Sequence, residues 1–412
     1  MSESEVHQRY DVVIVGGGMV GASLAHALSG HGLTIAVIES YPLNTSSQPS
    51  YDDRAIALSY GSKRILDALG LWSKLASSAE AIKKIHVSEQ GQFGFARLDH
   101  QEEGVEVLGY VVTARDLGSV LLPTLTDVDD VSLLCPATLE DFSQEDNRVT
   151  ANVLIDEKPV TLQAKLLVAA DGGQSRVREQ LGIKVKAADY GQSAIISNVS
   201  TQQPHNNIAY ERFTTTGPVA LLPMTENRSG LVYTVKNEQQ HAVMTLSDDE
   251  FLQQLQLRFG YRLGKFTRIG KRFVYELKYK QVEEHIRHRV ALIGNAAHTV
   301  HPVAGQGFNL GIRDVAALAE VIVQAHNANA DIGELSVLSE YEHWRKHDHR
   351  NVMTATDSMV KLFENPLSAV RVARNAGILA VDLLPGARHL ISRFAMGLAG
   401  KQPKLSRGVP LD

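Results

Sequence analysis

The six residues from Tyr10 to Val15, Tyr-Asp-Val-Val-Ile-Val, end in an unbroken β-branched run, the pattern of a parallel strand buried on both faces. The run closes on Gly-Gly-Gly-Met-Val-Gly, and 22–29 follows as an Ala/Leu-rich helix ended by Gly30 and Gly32. A second apolar strand at 34–39 completes a βαβ unit within about 30 residues. The stretch 41–53 is polar, rich in Ser, Asn and Pro, and reads as a loop, whereas 61–75 carries apolar residues at helical spacing. Strands punctuated by Gly91, Gly94 and Gly109 are predicted over 82–112, a helix over 115–125, and alternating hairpin strands over 131–167, ending in the apolar run 166–170. Between 190 and 279 the alternation predicts an antiparallel sheet interrupted by one helix, 248–259. A buried strand at 289–293 then leads through a glycine-rich loop into the Ala/Leu helix 315–325, so the style of the first segment resumes after the sheet. From 335 to 400 the chain reads as helical apart from Pro366 and the Pro385-Gly386 break.

Composition narrows the class. With 412 residues and 44% hydrophobic content, two or three globular domains are expected. Lys and Arg total 41 against 46 Asp and Glu, a balance of −5, so there is no global basic field and no nucleic-acid partner is expected. The single cysteine, Cys135, excludes an internal disulfide, a thiolate metal cluster and dithiol redox chemistry, and points to a reducing compartment. Residues 1–9 are polar where a secretory signal needs an apolar core, and no apolar run reaches about 18 residues. The expectation is a cytoplasmic protein without a membrane span.

Gly16, Gly18 and Gly21 form GxGxxG between the first strand and the first helix, and Glu39 ends the second strand 18 residues later. Glycine permits the tight turn and the close approach of a pyrophosphate, and an acid at the end of the second strand accepts from an adenosine ribose. A dinucleotide is implied, with FAD and NAD both open on this motif alone. Two further segments resemble, together with it, the three fingerprints of the flavoprotein aromatic hydroxylases with the p-hydroxybenzoate hydroxylase fold. They are LLVAADGGQSRVR at 166–178 and LIGNAAHTVHPVAGQGFNLGIRD at 292–314. Within that class the chain is similar to the ubiquinone-biosynthesis hydroxylases through DDRAIALSYGSKRIL (52–66), ERFTTTGPVALLPM (211–224) and YRLGKFTRIGKRFVYEL (261–277), in wording nearest those acting on a 2-polyprenyl-6-methoxyphenol.

That resemblance implies an α/β fold: a discontinuous Rossmann-like FAD-binding domain (1–81, 110–185, 275–365), a β-sheet substrate domain (82–109, 186–274) and a C-terminal helical tail (366–412). It implies that Glu39 takes the ribose, Arg54 and Arg115 the pyrophosphate, with Asp171 and Gly172 also at FAD. Gly294, Asn295, Pro302, Gly305, Gly307, Phe308 and Asn309 would hold the ribityl chain and isoalloxazine. Asn295 stands where the family wording has aspartate, which alters the charge near the flavin but keeps a hydrogen-bond acceptor. The implied activity is hydroxylation of a polyprenyl phenol in ubiquinone biosynthesis, one atom of O2 passing through a flavin C4a-hydroperoxide. With one GxGxxG, electrons are expected from NAD(P)H at a transient site or from a partner protein. Hydroxylation at another ring position, a flavin reductase or oxidase, and a mainly structural subunit of a quinone-biosynthesis assembly stay open as alternatives.

Tyr210, Arg212, Phe213, Leu222, Pro223, His301 and Pro302 are the candidates for the substrate pocket. No catalytic proton acceptor is identified; His298 and His301 flank the flavin loop and read as positioning groups. His343, His347 and His349 in HWRKHDHR read as a solvated polar face rather than a metal site, and no metal is expected. The tail has two readings. Apolar residues around Pro385-Gly386, interspersed with Arg374, Arg388, Arg393 and Lys401, form amphipathic helices that either pack on their own domain or dock at the inner membrane face.

Overall fold

The computed structural model of the chain describes residues 8–42, 52–365 and 367–411. Expectations resting on residues 1–7, on 43–51 of the polar loop and on Pro366 lie outside the described residues.

The first sheet is organised on five parallel strands. Gln8–Val15 lies at its centre between Ile35–Ile38 and Lys158–Ala169, with Val131–Leu134 beyond the former and Val290–Leu292 beyond the latter. Alternation along the central strand divides its side chains between two cores. Val12 and Ile14 pack with the helices Met19–Leu28 and Gln306–Asn327, while Val13 and Val15 pack with the hairpin strands Ala137–Gln144 and Val149–Ile155. This two-sided burial is the reason the strand reads as an unbroken apolar run.

The second sheet has nine strands, with Val185–Thr201, Arg228–Lys236, Gly217–Met224 and Ile208–Thr214 antiparallel in that order. It departs from the expected all-antiparallel pattern at one ladder: Ile208–Thr214 pairs in parallel with Lys84–Glu89, which carries Phe95–Asp99 at the edge. Phe273–Val282 pairs along Val185–Thr201, and its far end pairs with His298–Thr299, which stitches the glycine-rich loop to this sheet. Ala55–Ser59, Gly109–Thr113 and Glu80–Ile82 form a small third sheet.

Three helices differ from expectation. The 61–75 helix is two, Tyr60–Ala68 and Trp72–Leu75, separated by Gly70 at φ +71°. Asn237–Met244 precedes the expected Asp248–Phe259; it buries only Val243 and so has no apolar stripe to announce it. The last core helix, Gln306–Asn327, begins inside the glycine-rich loop. Beyond it lie Leu335–Glu364, Ser368–Leu383 and Pro385–Ala395, with Pro385 in the first turn, where its missing N–H costs nothing. The chain then returns to the body: Leu405 and Leu411 join the first core, and Met396 packs beneath the small sheet. Among the described residues no helix is long and apolar enough to cross a membrane.

Candidate active site

The glycine turn is shaped first by its own packing. A Cβ on Gly16, at φ +104°, would lie 2.5 Å from the Ala170 carbonyl oxygen, and one on Gly21 would lie 1.9 Å from the Gly16 oxygen. The helix Met19–Leu28 starts at Gly18 with no side-chain cap and no acid in its first turn, so its free N–H groups and positive dipole end face the cavity that Gly18 and Met19 line. Glu39, 5% exposed, accepts from the N–H groups of Gly17 and Tyr41, each at 2.8 Å, and so ties the strand end to the turn. Arg54 lines the cavity. Its Nε donates to Asp52 at 2.6 Å, its guanidinium stacks 4.9 Å from the Tyr275 ring, and the Tyr275 hydroxyl donates to Asp52 at 2.8 Å. Arg115 instead pairs with Asp53 at 2.8 Å, both about half exposed, and is not on the cavity wall. Asp171 is largely buried, which pushes its carboxyl pKa up; Oδ2 accepts from the Val177 N–H at 3.3 Å, while the buried Oδ1 has no protein partner. Gly172, at φ +82°, lines the cavity beside it.

The second glycine segment supplies the opposite wall. Gly294, Asn295, Pro302, Gly305, Gly307, Phe308 and Asn309 all line the cavity. Gly294, at φ +57°, donates its N–H to Asp314 at 3.0 Å. Asp314 has no exposed surface and also meets His298 Nε2 at 2.7 Å, Arg345 Nε at 2.8 Å and His349 Nε2 at 2.6 Å. The surrounding cation and donors overcome burial and hold its carboxyl well below the usual range. His298, Asp314 and His349 lie close enough to suggest metal ligands, but Asp314 already has four partners and Arg345 as its cation. His343 and His347 are exposed as expected, whereas His349 is buried, its pKa pushed down to about 3. The correction has a visible cause: Tyr341, Arg345 and His349 recur every four residues on the inward stripe shared by Leu338 and Val352.

The helix Gln306–Asn327 starts at Gly305, a left-handed residue at φ +61°, again with no side-chain cap. A Cβ on Gly305 would press within 2.9 Å of Ala57, but one on Gly307 would meet no protein atom nearer than 4.0 Å, so the space beside Gly307 belongs to the cavity. The Asn309 side chain is consumed inside the protein: its amide donates to the Ala57 and Gly305 carbonyls at 2.8 and 2.7 Å and accepts from the Ser59 N–H at 2.8 Å and Ser62 Oγ at 2.7 Å. His301 is also off the wall. Its Nδ1 accepts from the Val303 N–H at 3.2 Å, leaving Nε2 to donate to Gln192 at 3.3 Å, and burial lowers its pKa to about 4.

A cavity of about 1100 Å³ joins these segments to the second sheet and the C-terminal helices. Of the remaining pocket candidates, Tyr210, Phe213 and Leu222 line it; Arg212 and Pro223 do not, and Arg212 donates to the Arg258 carbonyl at 3.1 Å. The only charged side chains on this wall, among the described residues, are Arg54, Glu211 and Arg374. Sequence reasoning missed Tyr275 and the whole helical wall, including Met359, Phe363, Val370, Ile378, Val381 and Phe394. Their apolar helical spacing was readable, but it reads equally as ordinary core packing. Phe363 stacks on Phe213 at 3.5 Å between ring centroids and under the guanidinium of Arg374 at 5.0 Å.

Two uncapped helix starts and the unfilled space beside Gly307 on one cavity, with the orphaned Asp171 oxygen between the lining residues Ala170 and Gly172, fit an elongated dinucleotide. Comparison with known proteins agrees. The FAD binding domain family matches residues 9–356. Ubiquinone hydroxylase UbiL of Rhodospirillum rubrum is 38% identical over 404 residues, covering 97% of this chain and 93% of that protein. The 3-demethoxyubiquinol 3-hydroxylase of Escherichia coli is 31% identical over 396 residues, covering 95% of this chain and 100% of that protein. The crystal structure of p-nitrophenol 4-monooxygenase PnpA from Pseudomonas putida superposes with a TM-score of 0.79 at 22% identity, covering 96% of this chain and all of that one, which shows a shared fold. With a family match over most of its length and hydroxylase relatives along nearly all of it, the chain belongs to the FAD-dependent monooxygenases, in the family that includes the ubiquinone hydroxylases.

Proposed function

We propose that the protein hydroxylates the aromatic ring of a polyprenyl phenol in ubiquinone biosynthesis, using O2 and electrons from NAD(P)H or a partner protein. The supporting observation is the continuous apolar cavity that leads from the turn at residues 305–308 to the C-terminal helices, a shape suited to a ring at one end and an isoprenoid chain at the other. Bound FAD supplies the activation of O2. The chain's own residues bind, orient and shield. Glu39 accepts from the adenosine ribose, and Arg54 with the helix start at Gly18 meets the pyrophosphate. Asp171 would offer its unpaired oxygen to a cofactor hydroxyl, and the helix start at Gly305 would favour negative charge on the flavin. Side chains of 82–109 and 186–274, together with those of the helices Leu335–Glu364, Ser368–Leu383 and Pro385–Ala395, wall the ring chamber and exclude water, while the first sheet and the helices packed on it carry the cofactor. A peripheral contact of the C-terminal segment with a membrane, and association with other quinone-pathway proteins, belong to the same reading.

The wording of 52–66, 211–224 and 261–277 favours a 2-polyprenyl-6-methoxyphenol as substrate, and the Escherichia coli relative's name favours position 3 of a demethoxyubiquinol. One experiment separates these and tests the whole. Purified protein loaded with FAD is given NADPH, 18O2 and the ring precursors in turn, and products are resolved by mass. The expected result is one 18O atom in the ring of one precursor. NADPH consumption without label in any product would make the protein a reductase or oxidase and overturn the proposal.

A further inference from the structure

The helices Ser368–Leu383 and Pro385–Ala395 have two differently built faces. The inner face walls the cavity with Val370, Ile378, Val381 and Phe394, and a polar clasp holds it in place. Arg374 forms a buried ion pair with Glu89, the Gly94 N–H donates to Asn375 at 2.9 Å, and the Arg97 N–H donates to Asp382 at 3.0 Å. The outer face is apolar and bare: Leu367, Val372, Leu383, Leu384 and Leu390 are 57–69% exposed. Seven of the thirteen exposed large hydrophobic residues among the described ones lie between 362 and 391, which makes this a patch rather than scatter.

Charge and the cavity's opening say what covers it. Between 366 and 411 the only acid is Asp382, which is turned inward to Arg97, whereas Arg371 and Arg393 are exposed beside the leucines. Apart from Asn295 at the other end, the most exposed of the cavity-lining residues are Ser358, Leu362, Ala373, Gly377 and Ile391. The apolar end of the cavity therefore opens on the same patch. An exposed apolar surface whose two helices carry exposed arginines and no exposed acid of their own, with Glu364 at its edge and Glu102 held by Arg388 at 3.0 Å, matches the interface of an anionic bilayer, where leucines enter the acyl boundary and guanidinium groups meet phosphates.

We propose that this helix pair docks on an anionic lipid bilayer and that the cavity opens directly onto it, so that a membrane-dissolved substrate enters between lipid and protein without crossing water. The statement deepens the reading given above, adding to its membrane contact the face, the lipid charge and the cavity opening, and docking and reaction are tested by separate readouts. Flotation of the FAD-loaded protein with phosphatidylglycerol/phosphatidylethanolamine vesicles, against phosphatidylcholine vesicles, tests it. Wild type and the control Leu257→Glu, an exposed apolar site on another helix, are expected to float with the anionic vesicles. The triple variant V372E/L383E/L390E is expected to bind them at least about tenfold less, and R371A/R393A to lose only the preference for anionic lipid. Flavin absorbance and circular dichroism of the triple variant should match wild type, as should its 18O incorporation into a short-chain, water-soluble phenol; activity on vesicle-embedded substrate should fall. Equal flotation of wild type and the triple variant overturns the docking surface, as does wild-type protein that leaves the vesicles and pairs with itself through this face. A wild type that floats but labels neither phenol overturns the reaction and leaves the docking surface standing.

Discussion

Gly21 and Gly307 both sit near the start of a helix on the cavity, yet the structure gives them opposite reasons to be glycine. At Gly21 the reason is protein: an added Cβ would lie 1.9 Å from the Gly16 oxygen, so Gly21→Ala must move backbone and is expected to cost at least about 1–3 kcal/mol, read as a lower melting temperature even without flavin. At Gly307 the reason is ligand, since the nearest protein atom to that Cβ would be 4.0 Å away. Gly307→Val is expected to leave the apo melting temperature nearly unchanged while flavin occupancy and turnover collapse. A variant with full occupancy and normal turnover would show that this turn does not face the ring. Glu39 combines both kinds of role, because its carboxylate already holds the Gly17 N–H. Glu39→Ala should weaken FAD by about 1–3 kcal/mol, roughly 5- to 150-fold in the dissociation constant measured by fluorescence titration.

At the scale of elements, the helix Ser368–Leu383 is held beside its apolar wall by a polar clasp whose one buried ion pair joins Arg374 to Glu89. Arg374→Met would leave Glu89 buried without its cation, a loss of about 3–5 kcal/mol. Hydrogen exchange in 368–383 is expected to accelerate sharply in that variant and to recover in the double variant with Glu89→Leu; unchanged protection in the single variant would show that apolar packing alone holds the helix. This clasp was not legible beforehand, because Arg374 and Glu89 are 285 residues apart and each looks like a surface charge. The βαβ unit was legible for the opposite reason: its strands are buried on both faces and its turn is local, so composition and spacing carry the whole structure. His349 lies between these cases. Its place on an inward stripe was readable from the spacing of Leu338, Tyr341 and Arg345, but a buried histidine needs a partner, and that partner, Asp314, is 35 residues away. The tail divides in the same way: the amphipathic character of its two helices was visible in the sequence, whereas which apolar residues line the cavity and which stay bare, and the return of Leu405 and Leu411 to the first core, were not.

For the molecule as a whole, the buried histidines set a pH limit on stability. Burial holds His301 at about 4 and His349 at about 3, and it lowers His86 as well, against an unfolded value of 6.5. For a base depressed in the folded state, the unfolded chain binds the extra proton first. Stability is therefore fully present above pH 6.5 and is lost as the pH falls below it, down to the folded value. By pH 5 His301 and His349 should each have withdrawn about 2 kcal/mol, a large share of the 5–15 kcal/mol typical of a folded domain. The carboxylate of Asp314, held below its usual range, adds to the loss only at still lower pH. Chemical denaturation of the apo protein at pH 7.5 and 5.0 should show the drop, and His301→Gln, which keeps a donor toward Gln192, should remove about half of the loss due to these two histidines. His301 lies next to Pro302 in the loop that lines the cavity, and His349 holds Asp314, which in turn fixes the Gly294 N–H. Because these histidines stay neutral in the closed wall and take up protons once it opens locally, falling pH favours opening of the cofactor wall, and flavin release is expected to precede unfolding between pH 6 and about 4.5. Coincident release and unfolding across that window, followed by flavin fluorescence and circular dichroism on the same sample, would place the sensitive histidines elsewhere than at the cofactor wall.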